Sequence, residues 1–237
     1  MDSCVVDISI AKMKVLLFDT ETTGLPKTKA SAKEGPNNWP HIVSISWAIL
    51  DADTNVVEKT RSYIIKPNKW TIPESSTRIH GITTEHASEH GWPLKEVMDE
   101  FRDEPCDVMI AHNMSFDYNV IMNAILWDLR ETREHPCRVR HCTMQLSRNL
   151  CKLPSEYSNG YKNPKLSELY RFVLKEDPTA TSLHNSDYDT EILTKIVQTS
   201  QELRSQMGLP TIPVYKATNV HQAVPNKVLS LRLGDST

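Results

Sequence analysis

The sequence predicts a mixed α/β fold, a sheet with helices packed on it, and three observations predict it. Three stretches within the first seventy residues read as strands separated by turn and loop signals. Beyond residue 93, short apolar runs alternate with segments whose apolar residues recur at helical spacing. The 237 residues, 39% hydrophobic and 24% charged, have a globular composition and suffice for one sizeable core or a domain with a tail.

The elements are taken in chain order. Val15 to Phe18 anchors a strand over 14–19. PKTKASAKEGPNNWP (26–40) holds prolines, Gly35 and three lysines and reads as a loop. HIVSISWAIL (41–50) and TRSYIIKP (60–67) are the second and third strands, with a turn near Asp53 to Asn55. PLKEVMDEFRDE (93–104) is a helix with Pro93 at its start and Leu94, Val97, Met98 and Phe101 on one face. DVMIAH (107–112) is a short buried strand, 115–130 a helix and 139–143 a strand. Helices are predicted at 143–150, 165–174 and 187–206. Residues 1–12 are expected to be an extension, with Met13 compatible with a translation start. Residues 13–207 form the domain, and 208–237, with three prolines, an arm available to a partner. No internal repeat is present.

Composition narrows the function. The formal charge is −3, from 27 basic and 30 acidic residues, which argues against a large electrostatic footprint on duplex DNA. It leaves room for a compact, metal-assisted site. No apolar run approaches the ~20 residues of a membrane span, so no membrane partner is expected. The N-terminus has acids early and no basic n-region, unlike a secretory signal. Five irregularly spaced cysteines suit free thiols in a reducing compartment, so the expected location is intracellular, cytoplasm or nucleus, and not secreted.

The sharpest signal lies in LLFDTETTGLP (16–26). Asp19 and Glu21 end an apolar strand and, two residues apart, point to one face. Two carboxylates there repel unless a cation lies between them. Asp117 sits in the first turn of its helix behind Ser115 as N-cap, where an acid stabilises the dipole. It also shares a stripe with Ile121, Ala124 and Ile125, the face expected to be buried. Asp189 repeats the pattern behind Ser186, in line with Leu193 and Ile196. Asp117 or Asp189 by itself reads as a cap. Four together read as a carboxylate site for hard divalent cations such as magnesium or manganese. Two ions ~3.5–4 Å apart can activate water and stabilise a leaving oxygen in phosphodiester cleavage. His184, five residues before Asp189 in an expected loop, is the candidate base.

FDTETTG, AHNMSFDYNVI and HNSDYDTEI, together with IHGIT (79–83), resemble the three motifs and an accessory segment of the DEDDh 3′–5′ exonucleases. That family includes DnaQ-like proofreading subunits within the ribonuclease H-like superfamily. The resemblance runs from about residue 14 to 200, and the offset of His184 from Asp189 matches the histidine subclass. It implies a ribonuclease H-like α/β fold, a five-stranded mixed sheet with the first three strands antiparallel. It implies that Asp19, Glu21, Asp117 and Asp189 hold two Mg2+, with Mn2+ able to substitute, and that His184 is the general base. Thr22 and Thr23, and the segment with His80 and Ile82, are expected at the terminal nucleotide, with Phe116 and Tyr118 flanking Asp117. The implied activity releases nucleoside 5′-monophosphates from a single-stranded 3′ end of DNA or RNA, DNA being favoured, with a DNA polymerase as a possible partner. A nonenzymatic accessory module is the alternative. CTMQLSR (142–148) departs from the Asp-Thr common in relatives.

Other features compete for a role. HPCRVRHC and Cys151 supply His135, Cys137, His141 and Cys142 for zinc, at spacings that match no standard pair. Trp47 and Trp127 are expected in the core, and Trp39 is the tryptophan best placed for base stacking. Lys27, Lys29 and Lys33 either contact phosphates or form a solvated loop.

Overall fold

The computed structural model describes residues 12–157, 159–179 and 184–212. The predicted extension up to residue 11 and the predicted arm from 213 lie outside them. The first residues assigned to that arm are packed: Leu209 is buried, and Arg204 donates to the Pro210 carbonyl at 2.9 Å.

Five strands form one sheet: β1 (Lys14–Thr22), β2 (Ile42–Asp51), β3 (Val56–Ile64), β4 (Val108–Ala111) and β5 (Val139–Cys142), in the order β3-β2-β1-β4-β5. Within the first three, β1 pairs with β2 and β2 with β3 antiparallel, while β4 runs parallel to β1 and β5 parallel to β4. This is the predicted mixed sheet. The third strand begins at Val56, earlier than expected, because its alternation is broken by Glu58, Lys59 and Arg61, which form ion pairs at the sheet edge.

Helices cover both faces. The α3 helix (Leu94–Asp103) and α4 (Met114–Asn123) pack on one side, around Leu16, Phe18, Trp47, Phe101 and Ile121. On the other side α7 (Leu166–Leu174) and α8 (Ser186–Thr199) enclose Val15, Leu17, Leu50, Leu169, Ile192 and Ile196. Successive residues of β1 thus feed alternate cores until Asp19, where the apolar pattern stops.

Several boundaries differ from the sequence expectation. Residues 143–150 hold two short helices, α5 (Thr143–Leu146) and α6 (Arg148–Cys151), separated at Ser147, whose Oγ donates to the Thr143 carbonyl at 2.6 Å. The last predicted helix breaks at Ser200 into α8 and α9 (Gln201–Gln206), because the Ser200 Oγ caps the second segment. Two helices were not foreseen: α1 (Glu74–His80) and α2 (Thr84–His90), each too short for apolar periodicity to register. After Asn123 the fourth helix widens into a π turn over Ala124–Asp128. A π turn holds more residues than an α turn and rotates the side chains beyond it. Trp127 is accordingly 37% exposed rather than core, with its Nε1 donating to the Ala32 carbonyl. Trp47 is fully buried as expected. Trp39 is 9% exposed, packed edge-on against Phe116 with its Nε1 on the Ala30 carbonyl, and has no free face for a base.

Gly91 closes α2 against the chain leaving β3. A Cβ there would stand 2.3 Å from the Ala87 carbonyl oxygen and 2.6 Å from the Lys66 nitrogen. Both are backbone and cannot rotate away. Gly91→Ala is expected to destabilise by about 3 kcal/mol, read by chemical denaturation. A loss under 1 kcal/mol would mean that this corner relaxes freely.

Candidate active site

Asp19 and Glu21 project from the α8 face of β1, paired across the ladder with Ser46 and Ser44. These serines are the small polar residues of a wholly buried strand. They seat the start of α8. Ser186 is buried, with its Oγ 3.0 Å from that of Ser44 and 2.8 Å from that of Ser46. One turn later the Thr190 hydroxyl donates to the Ser46 carbonyl at 3.2 Å. This anchorage brings Asp189 to the strand acids, so that one carboxylate oxygen from each of Asp19, Glu21 and Asp189 lies within 4.8 Å of the others. Ser186 is therefore a tether and not the N-cap; Asn185 caps the helix, accepting from the Asp187 N–H at 3.0 Å. Ser186→Ala removes the bonds to Ser44 and Ser46 and is expected to cost about 1–2 kcal/mol. Thermal unfolding reads this, and an unchanged melting temperature would show the tether to be dispensable.

Asp117 arrives from the opposite face. Pairing between β1 and β4 ends at Leu17 and Ile110, while β1 continues to Thr22. The N-terminus of α4 sits over that opening. Asn113, not Ser115, precedes the helix, in a left-handed conformation (φ 85°) that asparagine tolerates. Asp117 is 3% exposed, and its Oδ1 accepts from the Thr20 N–H at 3.2 Å and the Thr20 hydroxyl at 2.8 Å. Thr20 points away from Asp19 and Glu21 and so clamps the fourth acid from the α4 side. Asp117 stands beside the trio electrostatically without joining its ligand cluster.

The site repels its own charge. Burial drives Asp19 well above the ordinary carboxylate range, with Asp117, Asp189 and Glu21 adding to the rise. Burial, then Asp189 and Asp117, pushes Glu21 up to about 8. Asp117 is raised to about 7 by burial, against the bonds from Thr20 and its own backbone N–H. Asp189 is raised to about 6 by burial, with the His184 side chain and backbone N–H opposing. Among the described residues no lysine or arginine pairs with any of the four. The Asp189 Oδ1 is buried without a hydrogen-bond partner. A buried acceptor with no donor, facing two more carboxylates, fits a hard cation.

His184 lies in an exposed turn with φ 64°, one residue before the α8 cap, near enough to Asp189 for its side chain and backbone N–H to oppose the rise in that acid's pKa. Thr22 and Thr23 leave the site along the chain. The Thr22 hydroxyl donates to the Gly24 carbonyl at 2.7 Å, and the Thr23 Oγ1 accepts from the His41 N–H at 3.0 Å. The α1–α2 corner turns at Gly81 (φ 78°), and the His80 Nδ1 accepts the Ile82 N–H at 3.1 Å. Burial lowers the His80 pKa while the Thr22 backbone acts in the opposite sense, so this corner meets the end of β1. Ile82 itself packs on the small cluster of Val43, Ile72 and Ala87. Phe116 packs on the core, and Tyr118 donates to Glu134 at 2.8 Å.

The zinc alternative has no geometry behind it: among the described residues the acid trio is the one set of His, Cys, Asp or Glu side chains at mutual ligand distance. The His135 Nδ1 instead accepts the Cys137 N–H at 3.0 Å within a turn. Cys106, Cys137, Cys142 and Cys151 are free thiols. Of the loop lysines, Lys33 is ion-paired with Glu134 at 2.6 Å, while Lys27 and Lys29 are exposed. No helix of the described residues is long and apolar enough to cross a membrane.

Comparison with known proteins bears on the family and the fold. The RNase T family model, described as "Exonuclease", matches residues 16–197. A PolC-type DNA polymerase III of Mycoplasmopsis pulmonis (strain UAB CTIP) is 28% identical over 192 residues. That alignment takes in 80% of this chain and 12% of the polymerase, so the chain spans about an eighth of that relative. Exonuclease X, solved in complex with 5′ overhanging duplex DNA, superposes with a TM-score of 0.54 at 22% identity, over 83% of this chain and 95% of that one. E. coli exonuclease I, solved with a dT13 oligonucleotide, gives 0.60 at 16% identity over 83% and 43%. These two likenesses establish the fold.

Proposed function

Because the chain belongs to the RNase T exonuclease family, we propose that it hydrolyses phosphodiester bonds at the 3′ end of single-stranded DNA, releasing nucleoside 5′-monophosphates. The observation that carries this reading is the convergence of Asp19, Glu21 and Asp189 within 4.8 Å, with Asp117 beside them. The catalytic unit is residues 13–207, a span supported by the family match to 16–197. A DNA polymerase is the partner class suggested by the likeness to a segment of a PolC-type enzyme.

On this reading the four acids hold two Mg2+, for which Mn2+ substitutes; four ionised carboxylates carry the charge that two divalent ions balance. Bound, the ions supply an acidified water and a sink for charge on the leaving oxygen. Asp19, which feels the charge of all three other acids, would be the ligand best placed to serve both ions. His184 takes the proton of the attacking water; its exposed turn lets it reach the water and then return the proton to solvent. The backbone at Thr22 and Thr23 and the His80–Ile82 corner bracket the terminal nucleotide, a role supported by their meeting at the end of β1. Burial around the carboxylates excludes bulk water and strengthens each electrostatic contact.

The test tracks a 5′-labelled strand, as DNA and as RNA, with magnesium and with chelator. Metal-dependent stepwise shortening, faster on DNA, is expected. Faster RNA shortening would move the substrate to RNA. Binding without shortening under magnesium or manganese would make the chain an accessory module. His184→Asn keeps a residue that tolerates φ 64° while removing the base. It is expected to lower turnover at neutral pH by about 10²-fold or more with metal affinity within twofold. Lost metal affinity would make His184 a ligand instead.

A further inference from the structure

Away from the carboxylates, a groove of about 790 Å³ runs between the segment after β3, the start of α3 and the end of the π turn. Its lining includes Lys66, Lys69 and Arg130, all exposed. Most lysines and arginines flanking the sheet are consumed in ion pairs, as Lys14 is by Glu58, Lys59 by Glu104 and Arg61 by Glu100. Lys66, Lys69 and Arg130 have no carboxylate at ion-pair distance among the described residues. The one acid in the lining, Asp128, is engaged by the His41 Nδ1 at 2.9 Å. In a chain with a formal charge of −3, this leaves a local cluster of unbalanced positive charge.

Two indoles share the groove. Trp127 is 37% exposed and its ring is fixed by the bond from Nε1 to the Ala32 carbonyl at 2.7 Å. Trp70 is half-buried and stacks on His41, centroids 5.1 Å apart and planes 5° from parallel. A large aromatic held partly in water costs free energy unless a partner covers it. His41 also joins the groove to the site: its N–H and carbonyl both bond to Thr23, two residues beyond Glu21.

We infer that this groove is a second, noncatalytic binding site for a single-stranded segment of nucleic acid. Unpaired cations attract phosphates, and the fixed, exposed indole of Trp127 offers a surface on which an unpaired base stacks, which the closed bases of a duplex do not use. An acidic peptide would satisfy the cations and leave the Trp127 indole without a matching planar partner. The inference takes from the proposed function only that nucleic acid is the ligand class.

The test measures anisotropy of a fluorescein-labelled 20-nucleotide DNA strand across a salt series in chelator, where cleavage is silent. Wild type is compared with K66E/K69E/R130E and with the milder K66Q/K69Q/R130Q, both checked for native circular dichroism. Charge reversal is expected to weaken binding at least tenfold at low salt, and neutralisation to weaken it less. Removing three phosphate contacts is expected to reduce the slope of log affinity against log salt by about 2. Hydrolysis of a dinucleotide, too short to occupy cleft and groove together, is expected within twofold of wild type. Unchanged affinity and slope in both variants would overturn the inference. So would groove-dependent binding of a polyglutamate peptide with oligonucleotide binding intact. A wild type that binds through these three residues but never shortens a strand under magnesium supports the groove and overturns the exonuclease reading alone.

Discussion

Replacing Asp19 by asparagine is expected to cut hydrolysis by about 10³-fold while raising the melting temperature of the metal-free protein at pH 8. The two effects share one cause. Asp19 is held away from water among the charges of Asp117, Asp189 and Glu21, which drive its carboxyl well above its ordinary range. Asparagine has nearly the same shape and no charge. It removes the ligand central to the proposed metal site and, with it, the like-charge repulsion that the metal-free fold must contain. Stability gained on losing a charged side chain marks a site selected for binding rather than for folding. Hydrolysis and thermal unfolding in chelator read the two arms. Retained turnover would remove Asp19 from the metal site. A lowered melting temperature would show that its carboxylate stabilises the metal-free fold.

Stability of the metal-free protein is expected to fall as pH rises from about 4 to about 8, and divalent metal to restore it most at the alkaline end. Glu21, Asp117 and Asp189 are raised to about 8, 7 and 6, above ordinary values of 4.5, 3.8 and 3.8. The folded state therefore binds more protons than the unfolded chain across that window. Their contribution is fully present below the unfolded pKa values and is lost as pH rises through the folded ones. Metal competes with protons for the same oxygens, so its effect has the opposite pH dependence. At a hundred times its dissociation constant, an ion adds about 2.7 kcal/mol, or roughly 5–10 °C for a domain of this size. Melting curves at pH 5 and pH 8, with magnesium and with chelator, decide it. A magnesium shift no larger at pH 8 than at pH 5 would count against carboxylate ligation.

Much of the site is legible in the chain because its signals are local. A strand ending in Asp19 and Glu21 has its side-chain direction settled by period two, and β1 presents both acids to the α8 face. Asp117 and Asp189 fall on apolar stripes that helical geometry must bury. The caps are misleading in the sequence because Ser115 and Ser186 have the right chemistry at the right place. Burial of Ser186 against Ser44 and Ser46 outcompetes a capping bond, and Asn185 takes the cap. A trace of this is present in HIVSISWAIL, where two serines interrupt an apolar strand on the face of the acids. Trp39 and Trp127 exchange their expected roles because burial depends on what a neighbouring segment covers. The loop over 26–40 folds onto α4 and covers Trp39, while the π turn carries Trp127 outward.

By itself, then, the sequence determined the strands and the principal helices and singled out the four acids and the histidine as candidates, since each is marked by spacing within one element. Only the tertiary structure decided which of those acids share a ligand cluster. Asp189 joins Asp19 and Glu21 through a serine tether to β2, and Asp117 reaches the site through an opening where β1 outruns β4 and is held by Thr20. The groove at Trp70 and Trp127 is likewise a tertiary fact, assembled from three segments distant in the chain. Spacing along a strand or helix specifies direction, whereas proximity between elements depends on packing, and no single stretch of residues encodes it.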